Sequence, residues 1–123
     1  MRTLTFDHEE FPNTSTEELL RVAVASKQEF DGLTEEGESL VQLFFSLCDW
    51  HHAGELCADA ASTSFPQYFY HGRIREYLNR FVPDVSVPDS DTVVTEIANR
   101  PDELEVVLET SDLLLCYHWS SSA

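Results

Sequence analysis

Residues 92–119 constrain the fold of this chain more than any other stretch. Three strand-like runs, 92–98, 103–109 and 113–119, are separated by Asn99-Arg100-Pro101-Asp102 and by Thr110-Ser111-Asp112. Connections this short cannot carry a parallel crossover, so they predict antiparallel hairpins. In the middle run Leu104, Val106 and Leu108 alternate with Glu103, Glu105, Val107 and Glu109. Such alternation predicts one face packed on helices and a largely acidic face turned to water. Val93, Ile97, Leu113, Leu115 and Tyr117 extend the apolar face across the neighbouring runs.

Upstream of residue 83 the pattern reads as helical. Ser15 followed by Glu18 fits a capping box, which predicts a first helix over 16–30 that buries Leu20, Ala23 and Val24 and stops at Asp31-Gly32. Thr34 caps a second helix, in which the apolar positions from Leu40 to Trp50 run nearly all the way round, as expected for a buried central helix. Beyond Gly54 a short Ala-rich helix over 55–62 is expected, and Pro66 opens a fourth that reaches Val82 with Ile74, Tyr77, Leu78 and Phe81 inward. Thr3 and Thr5 alternate with Leu4 and Phe6, the mark of a short N-terminal strand. The stretch from Pro83 to Asp91, with two prolines and three aspartates, reads as an exposed connection. The expectation is an α+β fold: about four N-terminal helices packed on a C-terminal three-stranded antiparallel sheet, which the N-terminal strand can join. At 123 residues it should form one domain, 1–123.

Charge bears on partners rather than on fold. Twenty-three acidic residues against seven basic ones give a formal net charge of −16. That surface repels nucleic acid and anionic membrane and attracts basic proteins. Solubility or adaptation to a salt-rich cytoplasm would also produce such a composition. The N-terminus turns polar within seven residues, no apolar run is long enough to span a bilayer, and three cysteines make an unpaired set. These features predict a reducing, cytoplasmic setting, in the cell of origin or in a host.

Motif chemistry is sparse. There is no glycine-rich phosphate loop, no HExxH and no nucleophile elbow, and Cys57 with His71 and Asp59 is no more than composition alone offers. No cofactor and no metal are expected. Were a zinc site to form, its ligands would be Cys48, His52, Cys116 and His118, two of which end the second helix and two of which share a face of the last strand. Their spacing matches no zinc motif, and buried cysteine is usually a small apolar side chain. Tyr68, Phe69, Tyr70 and His71 with Arg73 and Arg75 make an aromatic and basic cluster, read as packing at a helix start.

The acidic surface is therefore the functional candidate. Glu96, Glu103, Glu105 and Glu109 are expected on one sheet face, with Asp84, Asp89, Asp91, Asp102 and Asp112 on loops at its ends. Carboxylates on a rigid sheet can imitate a phosphate backbone or complement a basic active site. The expectation is a non-enzymatic binding or inhibitor protein that blocks a basic partner, a nuclease or other nucleic-acid-binding protein. Immunity proteins and anti-defence proteins are of this physical type. It would not itself bind nucleic acid or membrane, and both monomer and homodimer stay open. Two alternatives stand beside it: a small ligand-binding domain or enzyme with a pocket between sheet and helices, and an oligomerisation or interaction subunit using Val107, Leu114 and Trp119 as an exposed apolar surface.

Overall fold

A computed structural model describes residues 1–11, 17–33, 39–48, 61–64, 71–87 and 91–122. Its centre is one antiparallel sheet of six strands: β1 (Arg2–Phe6), β2 (Glu17–Ser26), β3 (Ala61–Ser64), β4 (Val93–Arg100), β5 (Glu103–Glu109) and β6 (Leu113–Ser122). Their order across the sheet is β1-β2-β6-β5-β4-β3. The α-helices among the described residues are α1 (Leu40–Ser46) and α2 (His71–Phe81). The expectation of four helices on three strands is thus overturned: the fold is mostly sheet, and the N-terminal strand is one of its two edges.

The largest difference lies at residues 17–26, where a helix was expected and a ten-residue strand is found. Leu20, Ala23 and Val24 fit a helical stripe, but the full run Leu19-Leu20-Arg21-Val22-Ala23-Val24-Ala25 is almost continuously apolar. A strand covered on both faces shows that pattern too, and two valines favour it. β2 lies between β1 and β6, pairing Leu20 with Trp119, Val22 with Tyr117 and Val24 with Leu115. Leu20, Val22 and Ala23 have no exposed area, so both faces of β2 are core. Of the expected helix over 55–62, residues 55–60 lie outside the described residues and 61 and 62 belong to β3. The fourth helix is described from His71, and the second ends at Ser46 rather than at Trp50.

A helix packs on each face. On one, α2 sets Ile74 and Leu78, followed by Val82, Val85 and Val87, against Leu20, Val22, Val94, Leu104, Val106, Leu108, Leu115, Tyr117 and Trp119. Phe11 closes this layer, its ring 5.4 Å from Tyr77 and 4.8 Å from Phe81. On the other, Phe44 and Phe45 of α1, Cys48 just after it and Phe30 meet Ala23, Ala25, Val107, Leu114 and Cys116. Ser39 caps α1, its hydroxyl accepting the Gln42 amide proton at 3.2 Å. Because both faces are covered, Leu104–Leu108 is buried at every position, Glu105 included. Hence β5 has no water-facing side, contrary to the reading of its alternation. Val107, Leu114 and Trp119 are at 0%, 0% and 5% exposure, which removes the apolar surface on which the oligomerisation reading rested. No helix among the described residues is long and apolar enough to cross a membrane.

Candidate functional site

The candidate site is an acidic cleft at the end of the sheet where β2 and β5 finish and β4 and β6 begin. It has a cavity volume of about 680 Å³ and is lined by Asp84, Asp91, Glu109 and Asp112 with Lys27, Ser86, Val87, Val93, Thr110, Ser111 and Leu113. Each carboxylate is placed by local structure. The β5–β6 turn is tied by Thr110: its amide donates to the Leu113 carbonyl at 3.0 Å, and its Oγ1 accepts the Leu113 amide at 2.9 Å and donates to Asp112 Oδ1 at 3.1 Å. Such side-chain-to-backbone bonds turn the chain tightly without glycine. They leave Asp112 exposed at the tip and Glu109 half-buried at the strand end.

Lys27 follows β2 directly. The Ser26 hydroxyl accepts the Gln28 amide proton at 3.3 Å, and Glu29 accepts the Ser26 amide proton at 2.7 Å, which closes a capping box. Gly32, at φ 78°, then supplies the left-handed conformation that ends the turn. The Lys27 amide donates to the Asp112 carbonyl at 2.8 Å, and its ammonium stands 2.9 Å from Glu109 Oε2. Asp84 sits in the turn after α2, held where Val82 N donates to Leu78 O at 2.8 Å and Val85 N to Val82 O at 3.1 Å, and anchored by buried Val85 and Val87. Arg2 reaches it from the edge strand at 2.8 Å. Asp91 is exposed just ahead of fully buried Thr92. Four carboxylates and one ammonium leave the described lining with three formal negative charges. Both ion pairs are open to solvent, so each contributes little to stability, about 0–1 kcal/mol.

The other carboxylates singled out from sequence lie elsewhere. Asp102 and Glu103 are at the opposite end, where Glu103 accepts from Arg100 at 3.0 Å and lies 3.0 Å from His118 Nε2. Glu105 is on the α1 face at 8% exposure. Glu96 pairs with Val106 and so lies on the α2 face, contrary to the single acidic face expected, because a β-bulge between Glu96 and Ala98 shifts the register of β4. Asp89 falls outside the described residues. Of the conceivable zinc set, Cys48 and Cys116 come into side-chain contact, and burial first, then Cys48 and Glu105, pushes the Cys116 thiol up. His118 shares their face, and His52 lies outside the described residues. Among the described residues no group of three or more His, Cys, Asp or Glu side chains could hold a metal ion.

A second polar constellation was not singled out from sequence. Glu18, 7% exposed, accepts hydrogen bonds on Oε1 from Tyr77 Oη at 2.9 Å and from Trp119 Nε1 at 2.8 Å. The Arg73 guanidinium lies 4.4 Å above the Trp119 ring. Tyr117 is wholly buried, and its hydroxyl has no hydrogen-bond partner among the described residues. Burial, followed by the bond to Glu18, raises Tyr77 to about 12, and burial raises Tyr117 further. The Ser15–Glu18 spacing fits a capping box and so hides this role, whereas in β2 the Glu18 side chain points between sheet and α2.

Comparison with known proteins finds no matching family model, no similar curated protein and no similar solved structure.

Proposed function

We propose that this protein is a non-enzymatic binding protein that blocks a basic partner, a nuclease or other nucleic-acid-binding protein, by presenting the acidic cleft to its cationic groove. The observation that carries the reading is the meeting of Asp84 and Asp91, from the connection after α2, with Glu109 and Asp112, from the β5–β6 hairpin, around one concavity. A cavity of about 680 Å³ falls within the roughly 300–1,000 Å³ of ligand pockets. It has room for a protruding arginine or lysine, and guanidinium groups bind carboxylates bidentately. With a net charge of −16 behind it, the cleft steers a cationic surface towards itself and raises the association rate.

The test is titration into basic nucleases and nucleic-acid-binding proteins at low salt, reading binding by calorimetry and nuclease activity in parallel. The expected result is stoichiometric inhibition of at least one. It should weaken steeply with added salt and be lost when Asp84, Asp91 and Asp112 become Asn and Glu109 becomes Gln. Absence of binding throughout the set at low salt, or equal inhibition by the fourfold variant, refutes the proposal.

A further inference from the structure

We infer that Glu18, Tyr77, Tyr117 and Trp119, between the sheet and α2, form a binding site for an alkylammonium ion. This site is at the opposite end of β2 from the acidic cleft and does not depend on the cleft's function. Glu18 carries a buried carboxylate with no cationic partner among the described residues. Among the described residues its hydrogen bonds, from Tyr77 and Trp119, both end on Oε1, and no described residue occupies Oε2. A buried carboxylate held only by neutral donors is costly, and a cation is the group that offsets this best. The second observation is independent of the first: Tyr117 has no exposed area, faces the same layer, and has a hydroxyl that no described residue bonds. Phenols raised by burial stay protonated, so that oxygen is a neutral acceptor for an N–H.

An ammonium has three donors and no acceptor, which matches the two acceptor oxygens, Glu18 Oε2 and Tyr117 Oη, that no described residue uses. An alkyl tail suits the surroundings, because Phe11 packs against Tyr77 and the rings of Tyr77, Tyr117 and Trp119 are at hand. Arg73 already rests a cation on the Trp119 indole, so positive charge is stabilised on this aromatic surface. Among the described residues Glu18 and Glu76 put negative charge near Tyr117 and Arg73 positive charge. An anion would meet Glu18. A multivalent metal would find only this one carboxylate in the group. Entry runs past Tyr77, which is half-buried and is the side chain that must swing aside.

The indole N–H of Trp119 donates directly to Glu18 and so reports on the site. Its proton–nitrogen resonance, assigned with a Trp50→Phe variant, is followed while n-butylammonium chloride is added. Sodium chloride at equal ionic strength and n-butanol are the controls. A saturable shift with butylammonium alone is expected, abolished in Glu18→Gln. It should be weakened about tenfold or more in Tyr117→Phe, the size expected for a lost hydrogen bond to a charged group. Should Glu18→Gln fail to fold, Tyr117→Phe decides by itself, since it removes only a hydroxyl. An unmoved indole, an equal response to sodium or butanol, or undiminished affinity in Tyr117→Phe overturns the inference.

Discussion

Val107→Thr separates the two-sided sheet from the one-sided sheet that the sequence suggests. Valine and threonine have nearly the same shape and similar strand propensity, so the change places a hydroxyl at position 107 and little else. On a water-facing strand surface that is neutral, within about 0.5 kcal/mol. In the structure Val107 has no exposed area, lies between Thr95 and Cys116 in register, and packs in the α1 layer with Phe44 and Phe45. Burying a hydroxyl there costs about 1–3 kcal/mol. Urea unfolding followed by circular dichroism is the assay. With a slope of about 1–3 kcal/mol per molar for a domain of this size, the midpoint should fall by roughly 1 M. Val93→Thr is the internal control, because Val93 lies on the same sheet face at 37% exposure and should be near neutral. If the two variants unfold at the same urea concentration, α1 does not cover the centre of β5, and the account of this face is wrong.

Further outcomes follow from the same geometry. Tyr77 and Tyr117 should stay protonated at pH 10, so that absorbance at 295 nm shows at least two of the four tyrosines ionising late. Because the folded-state value of Tyr77 lies above its unfolded value of about 10, its contribution to stability is complete below pH 10 and is lost as pH rises through about 12. Tyr77→Phe should flatten that decline, and an unchanged alkaline limb in urea titrations would show that the phenol is not shifted. Lys27→Met removes the single ammonium from the described lining of the cleft; stability should change by less than about 1 kcal/mol, since the pair with Glu109 is partly open to water. Its affinity for an arginine-rich peptide, measured by calorimetry at low salt, should increase; a decrease would mean that Lys27 organises the site rather than opposing the ligand.

What the sequence made legible is local. The hairpin separators at 99–102 and 110–112 fixed β4, β5 and β6 as antiparallel neighbours, since turns that short permit little else. The N-terminal alternation located β1. Residues 17–26 defeated the same reasoning: an apolar run buried on both sides satisfies the helical and extended templates alike, and only pairing with β1 and β6 decides. That one substitution of strand for helix enlarges the sheet, and α1 on its second face turns Glu105 and Val107 inward. It also determines the sites. Asp84, Asp91, Glu109 and Asp112 were recognisable as acidic residues near strand ends, but Lys27 joins them only because β2 ends beside Asp112. Glu18 was invisible as a partner of Trp119 because 101 residues separate them.

On the proposed function, a cationic partner is received at one end of the sheet rather than by diffuse charge. Mapping amide shifts of the nitrogen-labelled protein as an arginine-rich peptide is added at low salt tests this most directly. The account predicts the largest changes at Lys27, Asp84, Asp91 and 109–113, with little at the distant acidic residues Glu9, Glu10 and Asp102. Shifts of equal size at all these carboxylates would contradict it.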